Sequence, residues 1–184
     1  MPEEISLFSL VRWSPLHLLL PLVIVQRIGE LRIARRNQKK LMGRGAVEVG
    51  SGHYPAIVAL HTLWFVAMAA EIVILSRAIN PFWIGLLLIL LSAQALRYWT
   101  IRTLGERWTT RVYVVPGEKP VTGGPFRYLR HPNYVAVVTE LLVLPLMFSC
   151  YVTAVAFSLV NSALLIIRIR TEERAWNEYA RTRT

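Results

Sequence analysis

The sequence predicts an all-α integral membrane protein of about five transmembrane helices, organised as one domain over residues 1–184. Three observations carry this expectation. Apolar side chains make up 54% of the 184 residues against 17% charged, enough for five spans of roughly 20 residues each and little soluble core besides. The mean hydropathy is +0.43, which argues against a soluble nucleic-acid binder despite a formal charge of +10. The charges are also grouped: all 11 acids are Glu, and of 21 Lys and Arg only Arg12 and Arg77 lie outside the segments 27–44, 97–130 and 168–183.

The first span is expected over 5–26, kinked by Pro15 and Pro21, which membrane helices tolerate where the freed carbonyls find other partners. A cleaved signal peptide would start with basic residues and end at a small-residue site; Glu3 and Glu4 come first here, so the helix is expected to be retained. The second span is expected over 54–76 and the third over 81–100, after an Asn80-Pro81 turn. The stretch 133–168 is too long for one crossing, so it is read as a helical hairpin of spans 133–149 and 150–168, broken near "PLMFSCY". Placing the three basic segments on the cytoplasmic side gives a self-consistent alternation, with the N-terminus outside and the C-terminus inside. The expected location is a membrane crossed several times, with the C-terminus on its cytoplasmic side.

Two of these cytoplasmic segments have compositions that suggest more than connection. Residues 109–134, "TTRVYVVPGEKPVTGGPFRYLRHPNY", alternate β-branched residues with turn formers, which suggests short extended pieces on the membrane face. The segment ends in Arg130-His131-Pro132, with Pro132 suited to a first helical turn whose free N–H groups suit an anionic or polar group. An interfacial anchor of basic and aromatic residues is the plainer reading. In residues 161–179, Asn161, Leu165, Arg168 and Glu172 form one helical stripe from the membrane interior to its surface, with Arg170 and Glu173 on neighbouring faces. There the plainer reading is a snorkelling Arg beside a surface ion pair.

Glu71 and Glu140 sit inside apolar runs, a costly position that suggests function, although a protonated carboxyl bonded to a neighbouring helix is the plainer reading. His61, Gln94 and Arg97 could line the same interior or simply pack between helices. Cys150, the single cysteine, falls at an outer turn away from other polar groups, which argues against a nucleophile and a disulfide scaffold. No G-x-S-x-G elbow, H-E-x-x-H, complete dinucleotide loop or paired Cys ligands occur, so no metal is expected.

"GPFRYLRHPNY" at 124–134, an apolar hairpin and then "RIRTEE" at 168–173 resemble the isoprenylcysteine carboxyl methyltransferase family, as does "ALRYWTIRTLGERWT" at 95–109. Residues 30–65 resemble a bacterial branch found beside type III polyketide synthases that methylates long-chain alkylpyrones. The resemblance implies a membrane O-methyltransferase using S-adenosylmethionine without a Rossmann domain. It implies a cytoplasmic cofactor-binding loop region, carried onto Glu118, Lys119, Pro120, Val121, Phe126, His131, Pro132, Asn133 and Tyr134. It also makes Glu172 a cofactor-contacting acid, with Arg168 and Glu172 catalytic and Arg168 and Arg170 facing the methyl acceptor. The implied partners are the bilayer, a bacterial cytoplasmic membrane with the active site on its cytoplasmic side, and a lipophilic acceptor, either an alkylpyrone-type enol from a type III polyketide synthase or a prenylated cysteine carboxylate or other lipid acid. A non-catalytic membrane scaffold or small transporter is the reading from another class. Two features depart from the family pattern: Ala136 stands where the family has Gly, and the family's longer C-terminal tail leaves a tail-made lid unaccounted for.

Overall fold

The computed structural model describes residues 15–181. It holds five α-helices, α1 (Leu19–Gly43), α2 (Tyr54–Ile74), α3 (Trp83–Leu104), α4 (Pro132–Met147) and α5 (Tyr151–Arg181), with strands β1 (Val47–Val49) and β2 (Val112–Val114). The protein is an all-α membrane protein with one small antiparallel ribbon, in which Glu48 sits opposite Tyr113. Among the described residues three segments are long and apolar enough to cross a bilayer, Ser51–Ile74, Trp83–Arg107 and Tyr151–Glu178. The 16 residues of α4 make about 24 Å at 1.5 Å per residue, shorter than a hydrocarbon core of about 30 Å.

The second to fifth expected spans each coincide with the apolar part of one helix. The first behaves differently. Residues 5–14 of that span lie outside the described residues, and α1 continues unbroken past Gln26 to Gly43. The reason is local: Glu30, Leu31, Ala34, Arg35, Gln38 and Lys39 are strong helix formers that outweigh the single interior Gly29. The stop is supplied by Gly45 at φ +77, where the Gly45 and Ala46 N–H groups donate to the Met42 and Leu41 carbonyls in a Schellman closure. α2 and α4 end in the same motif with Ser76 (φ 45) and Ser149 (φ 54) at the left-handed position.

α1 and α3 run in the same direction at matched depth. Gln26 donates to Gln94 at 2.8 Å, Glu30 lies 3.5 Å from Arg97, and Asn37 donates to the Gly105 and Trp108 carbonyls at 3.0 and 2.8 Å. Between α1, α3 and α4 lies a buried ionic cluster. Glu140 accepts from Arg97 at 2.8 Å, from Gln94 at 3.0 Å and from Arg27, and Arg27 also bonds Glu30. Glu140 is thus shared by two guanidiniums, and the cluster holds two acids and two arginines. On the far side of the bundle Glu71 accepts from Arg77 at 2.9 Å and from the Thr153 backbone N–H and hydroxyl at 2.9 and 2.7 Å. It caps the first turn of α5, where a carboxylate is favoured by the free N–H groups.

The apolar core joins Trp64, Met68 and Ile72 of α2 to Leu141, Leu144 and Met147 of α4, with Phe148 and Cys150 in the turn. Pro145 lacks the N–H that would bond the Leu141 carbonyl one turn earlier. The buried Trp64 indole N–H donates to that carbonyl at 3.2 Å, which is how α4 keeps a proline without an unpaired group in lipid. Leu63, Val66, Leu88, Leu91, Val155 and Leu159 remain exposed, as lipid-facing positions require. α3 packs on α4, α4 on α5 and α2 on α5. The arrangement brings the ends of α1 and α3, the start of α4 and the last turns of α5 to one side of the bundle.

Candidate functional site

On that side the segment between α3 and α4 folds back over α5 and encloses a cavity of about 560 Å³. The size falls within the range of small-molecule sites. Its floor is the stripe on α5. Asn161, Leu165 and Arg168 are buried in sequence, and Arg168, Glu172, Glu173 and Trp176 then line the cavity.

Arg168 is held at two points: its Nε donates to the Tyr134 hydroxyl at 3.0 Å and one Nη to the Thr110 carbonyl at 2.7 Å. The guanidinium also sits 5.5 Å from the Tyr134 ring centre. Tyr134 in turn donates its proton to Glu172 at 2.6 Å. The result is a linear Arg–Tyr–Glu array in which the hydroxyl accepts from the cation and donates to the anion. Pro132 opens α4, as its fixed φ suits the first turn, and this sets His131 and Tyr134 three residues apart. Their rings stack at 5.3 Å and 17°, and the His131 Nε2 lies 3.6 Å from Glu173.

The roof comes from residues 105–127. Glu118 bonds Arg107 at 2.6 Å and also Arg44 at the end of α1, while the Lys119 carbonyl accepts from Arg107 at 2.7 Å. Pro120, Val121 and Phe126 line the cavity, and Phe126 is set by a turn of 3-10 helix, Gly124–Arg127. That turn demands glycine: Gly124 has φ +57, and a Cβ there would lie 2.3 Å from the Thr103 hydroxyl.

One wall is the ribbon. Glu48 accepts from Arg111 at 2.6 Å and from Tyr113 at 3.0 Å. Burial and the Glu48 carboxylate push the Tyr113 hydroxyl up to about 12, and the hydrogen bond to Glu48 raises Arg111 above its ordinary value. Arg111 stacks over Tyr54 at 4.3 Å, and Tyr54 lies 3.2 Å from the Thr110 hydroxyl. The ribbon therefore fixes the residue whose carbonyl clamps Arg168.

Of the residues singled out from the sequence, Glu118, Pro120, Val121, Phe126, His131, Pro132, Asn133, Tyr134, Arg168 and Glu172 line this one cavity. Lys119 and Arg170 are not among its lining residues, and Arg170 is exposed. Reasoning from the sequence missed the Thr110 carbonyl, Arg107, Trp108, Arg111 with Glu48 and Tyr113, and Trp176. Only Trp176 had a readable signal, since it continues the 168–172 stripe by one turn. Two lining residues carry buried polar atoms with no hydrogen-bond partner, Asn133 Oδ1 and Trp108 Nε1. An orphan acceptor and an orphan donor at a cavity wall suit a ligand with polar groups of both kinds. No group of His, Cys, Asp or Glu able to hold a metal occurs among the described residues.

Fold and site together define an integral membrane protein with a polar small-molecule pocket where its bundle meets water. Comparison with known proteins narrows the class. The isoprenylcysteine carboxyl methyltransferase family matches residues 83–178, and the chain belongs to that family of membrane methyltransferases. It is similar to uncharacterized protein YpbQ of Bacillus subtilis, 41% identical over 163 residues that cover 89% of this chain and 97% of the relative. An uncharacterized Haemophilus influenzae protein is 29% identical over 154 residues, 83% of this chain and 90% of its own. No solved structure matches.

Proposed function

We propose that the chain is an S-adenosylmethionine-dependent O-methyltransferase, with its active site on the cytoplasmic face, that methylates an acidic oxygen of a lipophilic acceptor. The Arg168–Tyr134–Glu172 array at the floor of the cavity carries this reading. The cavity fits the cofactor. Glu172 and Glu173 suit a ligand bearing positive charge, Asn133 Oδ1 accepts and Trp108 Nε1 donates, and Phe126 and Trp176 offer apolar faces for an adenine.

When bound, S-adenosylmethionine supplies a methyl group on a cationic sulfonium. The chain's own residues bind, orient and exclude water. Arg168 spends its Nε and one Nη on Tyr134 and Thr110, which leaves the other Nη for a charge-assisted bond to the acceptor oxygen. Two fixed points hold that nitrogen in one place, and positioning of this kind supplies much of the rate. Tyr134 keeps its proton toward Glu172, so both side chains keep fixed roles through the reaction. An enol or carboxylate acceptor is already ionised near neutral pH, so no residue here acts as general base. A dry cavity disfavours separated opposite charges, and transfer to an oxygen anion merges them.

The acceptor is proposed to be an alkylpyrone-type enol made by a type III polyketide synthase, a choice supported by the resemblance of residues 30–65. A prenylcysteine carboxylate fits the same anion site. Titration calorimetry with S-adenosylhomocysteine should show binding that Glu172→Gln and Asn133→Ala each weaken. An absence of heat at millimolar ligand refutes the cofactor assignment. Methyl-transfer assays that compare a long-chain alkylpyrone with farnesylcysteine choose the acceptor.

A further inference from the structure

The second half of α1 presents a face that the pocket does not use. Its buried residues Glu30, Ala34, Asn37 and Leu41 follow one stripe, which packs toward α3 and the Gly105–Arg107 turn. At 100° per residue the opposite side carries Arg32, Arg35, Arg36 and Lys39. All four are exposed; Arg36 adds to the positive field at Glu106, but none of the four is within ion-pair distance of a Glu among the described residues. Leu31 and Met42 flank them, 38% and 57% exposed, so cation and hydrocarbon share one surface.

Depth decides what meets this face. α1 and α3 run parallel, with Gln26 beside Gln94 and Asn37 beside Gly105, so residues 32–39 of α1 stand level with about 100–107 of α3. That is the end of a 22-residue helix, about 33 Å long and so about one bilayer crossing. Trp99, which contacts Tyr128 at 6.3 Å, marks the same level, as aromatic pairs do at membrane interfaces. Four exposed cations, with aliphatic flanks, therefore lie at the height of lipid headgroups and not out in solution.

We propose that this face of α1 is a binding site for anionic phospholipid headgroups, and that bound lipid steadies the pocket roof. The link is on the same helix: Asn37 holds the Gly105 and Trp108 carbonyls, Lys40 bonds Glu106 at 2.5 Å, and Arg44 bonds Glu118. A lipid that fixes α1 thereby fixes residues 105–118. Lipid binding itself does not depend on the methyltransferase reading.

The full chain is titrated in detergent with phosphatidylglycerol or phosphatidylcholine, and retained lipid is counted by native mass spectrometry. The wild type should retain phosphatidylglycerol preferentially. Replacement of Arg32, Arg35, Arg36 and Lys39 by Gln should weaken that retention about tenfold or more, given roughly 1 kcal/mol per cation at an anionic surface. Arg35→Gln with Lys39→Gln should lower it more than Arg127→Gln with Arg174→Gln, an equal charge loss at other exposed sites. Equal retention of both lipids by the wild type overturns the proposal and leaves an acidic protein as the partner of this face. Equal losses in the two double variants overturn the assignment to α1. Hydrogen exchange at 105–118 in nanodiscs should slow when phosphatidylglycerol replaces part of the phosphatidylcholine; unchanged exchange overturns the coupling to the roof.

Discussion

Replacing Glu140 with Gln removes one carboxylate from a cluster in which two acids and two arginines balance. Arg97 is 4% exposed and Glu140 3%, so neither charge can recover its hydration by a small movement. After the substitution Arg97 keeps only the Glu30 carboxylate at 3.5 Å, which Arg27 shares. Breaking a buried pair from one side costs about 3–5 kcal/mol, whereas removing both partners is often neutral. For a chain of this size 1 kcal/mol moves the melting temperature by roughly 2–4 °C. Glu140→Gln should therefore lower the midpoint by roughly 6–20 °C in detergent. Arg97→Met with Glu140→Met leaves the Arg27–Glu30 pair intact and should restore most of that loss. The assay is thermal unfolding of wild type, Glu140→Gln and the Arg97→Met/Glu140→Met double variant without ligand. A Glu140→Gln protein within 2 °C of wild type, or a double variant no better than the single, would refute the view that these groups are ionised and mutually dependent.

The remaining expectations are shorter. Tyr134→Phe deletes the hydroxyl that joins Arg168 to Glu172 and should reduce kcat/KM for methyl transfer by about tenfold to a hundredfold, on the order of 1.5–3 kcal/mol for hydrogen bonds to charged groups; an unchanged kcat/KM removes Tyr134 from the site. Glu48→Gln loosens the ribbon and should raise the acceptor KM, leaving S-adenosylhomocysteine affinity within about twofold; a change confined to cofactor affinity contradicts the positioning role. Ser149→Gly relieves left-handed strain at φ 54, worth roughly 1–2 kcal/mol, against an entropic cost of roughly 0.5–1 kcal/mol for glycine, and the net gain should be read as a higher melting temperature. For Tyr113 the folded value of about 12 lies above the ordinary 10.0. Its contribution is therefore fully present below pH 10 and lost as the pH rises toward 12. The melting-temperature gap between wild type and Tyr113→Phe should shrink over that window.

Local periodicity carried much of this structure. The apolar runs located α2 to α5, Pro132 marked the start of α4, and the 161–172 stripe placed Arg168 and Glu172 on the inner face of α5, because each signal lies within a few residues of chain. Arg27 and Glu140 meet across 113 residues, and Glu48 meets Tyr113 across 65. Neither pairing leaves a trace in local spacing, and Glu140 on its own reads more readily as a protonated carboxyl. The length of α1 was hidden for another reason. Its polarity changes at Gln26, and an apolar run shows where lipid contact ends, whereas the helix itself stops only where Gly45 permits the closing turn. The ribbon was half legible: the alternation in 109–134 suggested short extended pieces and β2 lies there, whereas its partner β1 and their register are set by contact across the chain and not by local composition.

The clamp on Arg168 is made by the carbonyl of Thr110, an atom that every amino acid carries. Substituting residue 110 alters the side chain and leaves that oxygen in place, so a scan of single replacements can pass over the position in silence. An insertion or deletion between 109 and 114 would act differently, since it slides Tyr113 off Glu48 and carries the oxygen away from the guanidinium. The constraint here falls on the count of residues more than on their identity, and it is tested with spacing variants rather than alanines.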